Sequence, residues 1–520
     1  MAEGRKMTDG YLLGVDIGTY SSKGVLVRPD GAVIASHTVP HGLDMPRPGF
    51  FEHDAEGVWW HDFVTIVRAL LQKTGISPGR ILGIGTSAIG TCVLPIDETG
   101  RPLRPAILYG IDTRATEEIT YLERALGREA IFRLSGAHLS SQASGPKILW
   151  IRNREPEVYA RARWFLTSQA YLVYRLTGKA SIDIYSAAGY APLFDVHRRA
   201  WDAEAAALIA PLERLPQVYW SHEVVGTLTA EAARETGLAE GTPVVAGTTD
   251  AAAEALSAGV ADFGDMMLMF GSSIFFILKT PQLLSTEHFW SSNFLEEGAF
   301  AFLGGMSTGG SLTTWFRDQF GEVELERERA GGEDAYAQLA ALATTSPIGA
   351  GGLIALPYFE GERTPLHDPK AKGMWFGLSL KHTRGDVYRA ILEGVAFGIR
   401  HNLEVMREEG VQPGRVLAVG GGTKNSLWMR IVADACGIAL TIPEQQIGAA
   451  YGDAFLAGVG VGLFRNLSEV RRWVRDRETI QPDEQAGKLY GFYYQLFREL
   501  YVATRPLMHR LTDHLVGTGE

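Results

Sequence analysis

Pro78-Gly79-Arg80-Ile81-Leu82-Gly83-Ile84-Gly85 and Pro413-Gly414-Arg415-Val416-Leu417-Ala418-Val419-Gly420 are two versions of one phrase in opposite halves of a 520-residue chain. Each opens on a turn and runs into a short apolar strand. Each follows an amphipathic helix, Ala55 to Thr74 in the first half and Asp386 to Glu409 in the second. Val58, Trp59, Phe63, Ile66, Val67, Leu70 and Leu71 share one face of the first helix. A hairpin precedes each helix. In the first half it comprises Tyr11 to Asp16, the small-residue turn Ile17 to Lys23 and a return strand Gly24 to Arg28; a third strand, Ala32 to Thr38, follows. In the second half it comprises Met266 to Phe270, Gly271-Ser272-Ser273 and Ile274 to Leu278. One short match arises by chance, but matches in the same order within both halves indicate an internal duplication. The expected fold is α/β, with two duplicated domains facing each other across a cleft. Residues 11–252 form the first domain, 253–465 the second, and 466–520 a helical tail. Within the tail, Asp483 to Leu511 reads as helix, with Tyr490, Phe492, Tyr493, Leu496 and Phe497 available for packing.

The bulk numbers agree with an enzyme of that size. A chain this long exceeds a single core. The net charge is −11 and no stretch of Lys and Arg forms a basic stripe, which argues against nucleic acid or an anionic membrane as partner. An acidic protein still binds nucleotides, because phosphate sites use local N–H groups and metal. Cys92 and Cys436 stand far apart and in no metal-ligand spacing, which fits a reducing cytoplasm. No apolar run reaches transmembrane length, and Met1 to Gly10 lacks a signal-peptide core and is expected to be disordered. A homodimer is compatible with the sequence.

The seam between the halves is Thr242-Pro243-Val244-Val245-Ala246-Gly247-Thr248-Thr249-Asp250, followed by an Ala-rich helix. Asp250 therefore stands at a strand end and a helix N-terminus. The plain reading is an N-cap; the functional reading is a carboxylate between two domains. Asp16-Ile17-Gly18-Thr19 and Gly271-Ser272-Ser273 are turns that offer N–H groups and hydroxyls to phosphate oxygens, and Asp16 can hold magnesium through water. Gly420-Gly421-Gly422-Thr423-Lys424-Asn425 lets a flat ligand lie against backbone. Gly448-Ala449-Ala450-Tyr451-Gly452-Asp453-Ala454 is either the opposite wall of a nucleotide slot or a helix packed closely on a sheet.

These motifs together resemble the FGGY carbohydrate kinases of the actin-like ATPase (ribonuclease-H-like) superfamily, over Tyr11 to about Phe464. Gly373-Met374-Trp375-Phe376-Gly377-Leu378 with Asp386 to Gly394 is similar to the family's C-terminal signature. Tyr358-Phe359-Glu360-Gly361-Glu362-Arg363-Thr364-Pro365 is similar to the xylulokinase-like branch. The resemblance implies ATP and Mg2+ as cofactors. Asp16, Gly18 and Thr19 would form the first phosphate motif, and Gly271, Ser272 and Ser273 the second, with Gly310 beside the phosphates. Gly421, Gly422 and Asn425 would line the adenosine slot. Asp250 would be the general base, and Asp16 and Asp250 would face the metal. Ser87, Ala88, Tyr109, Asp112 and Arg114 would contact the sugar with Asp250.

Three departures bear on the substrate. Ala88-Ile89-Gly90 replaces the branch's Met-His-Gly, Tyr109-Gly110-Ile111-Asp112-Thr113-Arg114 matches its Trp-x-Asp-x-Arg loosely, and Ala251 replaces the Asn that often follows the base. Each missing polar group removes a hydrogen bond by which a sugar is selected. Asp112 and Arg114 are equally readable as a structural ion pair. The expected activity is ATP-dependent phosphorylation of the terminal hydroxyl of a ketopentose, D-xylulose first. The alternatives are ribulose, gluconate or another polyol, or an actin-like ATPase without a sugar.

Overall fold

The computed structural model describes residues 9–518. Met1 to Thr8 lie outside the described residues. Asp9 and Gly10, expected without order, are placed: the Asp9 carboxylate pairs with Arg80 at 2.8 Å and Gly10 is buried.

The first half contributes β1 (Tyr11–Ile17), β2 (Ser21–Val27), β3 (Val33–Pro40), α1 (His61–Thr74), β4 (Ile81–Ala88), β5 (Val224–Thr227) and β6 (Pro243–Val245). Their sheet runs β5-β6-β4-β1-β2-β3. β1 pairs antiparallel with β2 and parallel with β4, with Asp16 opposite Lys23 on one side and Ser87 on the other. Helix α2 (Asp250–Ala258) then leads into the second half. There β7 (Asp265–Phe270), β8 (Ile274–Thr280), β9 (Trp290–Asn293), β10 (Phe300–Met306), α3 (Gly310–Phe320), α4 (Arg384–Glu408) and β11 (Arg415–Val419) follow in order. They are completed by α5 (Ser426–Cys436), β12 (Leu440–Pro443), α6 (Ala449–Gly460), β13 (Asp476–Ile480) and α7 (Glu484–Thr518). The second sheet runs β9-β10-β8-β7-β11-β12-β13.

The two sheets superpose in topology. β3-β2-β1-β4-β6-β5 corresponds to β10-β8-β7-β11-β12-β13, with each neighbour pair parallel or antiparallel alike. The duplicated phrase thus occupies equivalent strands, β4 and β11. Each pairs parallel with the first strand of its hairpin, which puts both ligand-facing turns at the same end of their sheets. The central strands are covered on both faces, so β1 and β7 read as continuous apolar runs.

Some boundaries differ from the sequence expectation. The first hairpin turn is only Gly18 to Tyr20, because Ser22 already lies in the ladder opposite Ile17. Its hydroxyl is satisfied inside by Asp62, at 2.7 Å, so burying a polar residue there costs little. The boundary expected between residues 252 and 253 falls inside α2. The tail expected to be helical over 466–520 opens on a 3-10 turn, Leu467–Arg472, then gives the edge strand β13 against β12, and the long helix starts at Glu484. Tyr490 and Phe497 are buried in the second core, and Arg389 donates to the Tyr490 hydroxyl at 3.0 Å, whereas Phe492 stays 60% exposed.

Helices α2 and α6 cross at the junction. Although α6 lies in sequence between β12 and β13 of the second sheet, it packs on the first. A Cβ on Gly14 would stand 1.9 Å from Ala450 O, and one on Gly85 would stand 2.0 Å from Asp453 O. At the crossing itself, a Cβ on Gly452 would stand 2.1 Å from Ala253 O. Small residues there let backbone touch backbone, so the halves are joined by two short, close-packed helices. Gly452→Ala should therefore lower the melting temperature despite its gain in helix propensity, by an overpacking cost of about 1–3 kcal/mol. A thermal melt as stable as wild type would refute this close contact.

Candidate active site

Asp250 is positioned by a sharp exit from the first sheet. Gly247 has φ of 70°, where a side chain would meet Thr86 O at 2.0 Å. Thr248 and Thr249 then pair with Ser87 and Ala88 at the end of β4. Thr249, not Asp250, holds the cap position of α2, and Asp250 Oδ1 accepts only the N–H of Ala251, at 2.8 Å. Its second oxygen is left for other work. Burial pushes the Asp250 carboxyl up to about 6, against the opposing pull of the Ala251 N–H.

Asp250 has acidic company, of which sequence reading assigned only Asp16. Asp16 ends β1, Glu254 lies one turn along α2, and Asp453 comes from α6 of the other half. Burial, then the Asp250 charge, raise the Asp16 carboxyl well above the usual range. Burial and Asp250 likewise bring Glu254 to about 7, opposed by Lys23. Lys23 itself donates to Ile447 O across the junction at 2.7 Å. Ser87 Oγ lies 2.6 Å from Asp453 Oδ2 and 3.0 Å from Asp16 Oδ1. One hydroxyl hydrogen cannot serve two carboxylates. The count closes when one of the two carboxylates carries a proton and donates it to Ser87, which in turn donates to the other. Burial holds the Asp453 carboxyl well above the ordinary range, in keeping with that count. The lone acid in the small-residue run Gly448 to Ala454 was the available signal for Asp453.

This donor set suits a hard divalent cation. Among the described residues no group of three or more His, Cys, Asp or Glu is placed to hold an ion unaided. That fits Mg2+, which keeps most of its waters and takes oxygens from a bound phosphate, with one or two carboxylates beside it.

The first phosphate turn is braced from behind. Gly18 N–H donates to Ser21 O at 3.0 Å. His41 bridges Asp62 on α1 and the Gly18 carbonyl: Nδ1 lies 2.8 Å from Asp62 Oδ2 and Nε2 lies 3.1 Å from Gly18 O. Thr19 Oγ1 lies 3.0 Å from the Tyr109 hydroxyl, which brings a phosphate-motif residue and a sugar-side residue together. At the second turn, Gly271 O accepts Gly310 N–H at 2.8 Å and Ser272 O accepts Gly309 and Ser311 N–H, both at 2.9 Å. Gly310 thus starts α3 directly against that turn.

In the nucleotide segment, Gly420 has φ of 92° and Gly421 to Lys424 form a 3-10 turn. Gly421 faces open space, whereas a Cβ on Gly422 would stand 2.7 Å from the Trp428 ring. Asn425 Oδ1 caps α5 by accepting Trp428 N–H at 3.0 Å. Gly421 is therefore the one of the three glycines with open space beside it. Gly421→Leu should weaken nucleotide binding in calorimetry without unfolding the protein; wild-type affinity would move the slot elsewhere. The Gly448 to Ala454 helix start supplies no opposite wall. Its small residues are used in the crossing described above.

The sugar-side residues divide. Ser87 and Ala88 are fully buried, and Ser87 is taken by the two carboxylates. Asp112 and Arg114 form an ion pair with both side chains at 0% exposure, 2.7 Å from Arg114 Nη2 to Asp112 Oδ2. Arg114 Nη1 also meets Glu52 Oε1 at 2.8 Å, the guanidinium lies over the Phe50 ring, and Asp112 accepts the N–H of Phe51 at 2.7 Å. The structure corrects the expectation here: pair and serine are internal ties, and all their polar groups are spent on protein. Tyr109 alone keeps a half-exposed position beside the first turn.

Comparison with known proteins adds to this geometry. Residues 11–257 match the family model described as FGGY family of carbohydrate kinases, N-terminal domain, and residues 266–461 match its C-terminal domain. The xylulose kinase of Escherichia coli (strain K12) is 30% identical over 498 residues, covering 95% of this chain and 99% of its own. The L-xylulose/3-keto-L-gulonate kinase of the same organism is 29% identical, covering 97% of this chain and 99% of its own. The crystal structure of xylulose kinase from Rhodospirillum rubrum superposes with a TM-score of 0.87 at 34% identity, covering 96% of this chain and 100% of that one.

Proposed function

The chain belongs to the FGGY family of carbohydrate kinases, and we propose that it transfers the γ-phosphoryl group of ATP to the terminal hydroxyl of a ketopentose, D-xylulose. The observation that carries this reading is Asp250, a carboxylate raised to about 6 at the junction of two halves that each present a phosphate turn. A nucleotide switch needs no base aimed at an alcohol; a sugar kinase does.

Phosphoryl transfer asks mainly for positioning and neutralisation of charge. Asp250 takes the proton of the attacking hydroxyl through its free oxygen. The sugar oxygen bonds to the γ-phosphorus, and the bond from that phosphorus to the β–γ bridging oxygen breaks, its electron pair leaving with ADP. The turns Gly18-Thr19 and Gly271-Ser272-Ser273 hold phosphate oxygens from either side. Asp16, with Asp250 beside it, would hold Mg2+, which supplies charge neutralisation at the phosphates when bound. Closure about the α2–α6 crossing brings sugar and nucleotide together and excludes water, which limits hydrolysis of ATP. Two buried unpaired cysteines support a reducing, cytoplasmic setting. Among the described residues no helix is long and apolar enough to cross a membrane.

The test is ADP release with D-xylulose, L-xylulose, D-ribulose, gluconate and glycerol at saturating Mg2+–ATP. The highest kcat/KM should fall on D-xylulose. A preference for another sugar would reassign the substrate, and ADP release indifferent to every sugar would overturn the kinase reading.

A further inference from the structure

Glu360-Gly361-Glu362-Arg363-Thr364-Pro365 carries part of the family resemblance but has no place in the chemistry above. The run is pinned at the ligand-facing end of the second sheet. Thr364 and Gly305 exchange bonds, Gly305 N–H to Thr364 Oγ1 at 2.8 Å and Thr364 N–H to Gly305 O at 3.1 Å. Glu362 Oε1 accepts the N–H groups of Ser307 and Arg363, both at 2.8 Å. Arg363 is thereby delivered to the gap between the end of β10 and the start of β8. Its Nη2 donates to Met306 O at 2.6 Å and Ile274 O at 3.3 Å. Ile274 directly follows Gly271-Ser272-Ser273, so the guanidinium lies against the second phosphate turn.

The guanidinium is undersupplied with anions. Among the described residues its hydrogen bonds run to those two carbonyls alone, and its Nε is buried with no acceptor. Among the described residues no carboxylate stands within ion-pair distance of it, although a guanidinium offers five donors. Burial weakens its hold on its proton, while Glu362 and, from the other half, Tyr109 act in the opposite sense. A mostly buried charge whose neighbouring carboxylate, Glu362, makes no ion pair with it is costly. It is accounted for where an anion arrives during function, and its planar fork matches phosphate oxygens.

Resting on the kinase reading above, we propose that Arg363 donates to the phosphoryl group as it passes from ATP to the sugar. The guanidinium meets that group from the nucleotide-binding half while Asp250 acts on the hydroxyl from the seam. The competing role is a purely structural tie that holds β8 and β10 through their carbonyls. The two roles differ in what a substitution spares.

The experiment uses the full chain with D-xylulose, ATP and Mg2+. Wild-type turnover is measured first; if no sugar supports it, the kinase reading fails, whatever Arg363 does. With turnover in hand, Arg363→Met should lower kcat by about 10²–10³-fold, the scale of removing one preorganised donor to a transition state. Nucleotide affinity, sugar KM and melting temperature should change little. Arg363→Lys should recover only part of the rate, since an ammonium keeps the charge and loses the fork. An unchanged kcat in Arg363→Met overturns the proposal. So does a loss of nucleotide affinity in step with kcat, which marks the structural tie. If Arg363→Met does not fold, Arg363→Lys decides alone, and wild-type kcat in it overturns the proposal. On the wild-type protein, ADP with aluminium fluoride and D-xylulose, a mimic of the phosphoryl group in flight, should shield Arg363 from phenylglyoxal where ADP alone does not. Equal labelling in both states overturns the proposal.

Discussion

Asp250→Asn should abolish sugar phosphorylation while sparing the fold and the nucleotide. Asparagine fills the same volume and can still accept the Ala251 N–H, and the cap of α2 is Thr249, which is untouched. It cannot take a proton from the attacking hydroxyl. Loss of a general base costs about 10²–10⁴-fold in rate, read as kcat in the coupled assay. Nucleotide affinity should hold or rise slightly, since a negative charge near the incoming phosphates is gone. The wild-type pH profile carries the same signature. With the Asp250 carboxyl raised to about 6, kcat/KM should fall as pH drops below that value, because the base becomes protonated. Stability moves the other way. A carboxyl whose proton affinity is higher in the folded state than its ordinary 3.8 makes the folded protein less stable as pH rises through the window from 3.8 to about 6. At neutral pH that cost is present in full, so Asp250→Asn should melt higher than wild type there and equally at pH below 3.8. Turnover near wild type in a folded variant would remove Asp250 from the mechanism. A variant that fails to fold would assign it a structural role.

Asp16→Ala should uncouple magnesium from catalysis. Asp16 ends β1 with Asp250, Glu254 and Asp453 nearby, and that crowding of acids leaves its carboxyl avid for positive charge. Turnover should fall by about 10²–10³-fold, the scale of losing one preorganised electrostatic contact at the transferring group. The Mg2+ concentration for half-maximal rate should rise, whereas ATP affinity measured without Mg2+ should stay the same or increase. That split separates a metal role from general damage to the phosphate turn, which would weaken ATP in both conditions. Unchanged Mg2+ dependence and turnover would remove Asp16 from the phosphate site.

The architecture was legible in the sequence because duplication writes itself locally. Two Pro-Gly-Arg phrases after two amphipathic helices require only short-range pattern, and the strand pairings that follow obey the same topology in each half. The phosphate turns were legible for the same reason: small residues between a strand and its return leave few alternatives. Asp250 was legible as a position, at a strand end and helix start. What it does there was not, since its raised proton affinity comes from burial beneath both halves. The sugar side shows the limit most clearly. Asp112 and Arg114 have residue types suited to a sugar, but Glu52, Phe50 and the Phe51 N–H, distant in sequence, close around them and leave nothing over. Ser87 was assigned to the substrate through the family resemblance, and Asp453, from the opposite half, claimed it. Likewise Gly448 to Ala454 has the composition of a ligand loop, and only the crossing of α6 on α2 spends that composition on packing. Sequence by itself determined the order of elements, the duplication and the position of the two small-residue hairpin turns. Tertiary structure decided which polar side chains remain unspent, because that depends on partners brought from distant parts of the chain.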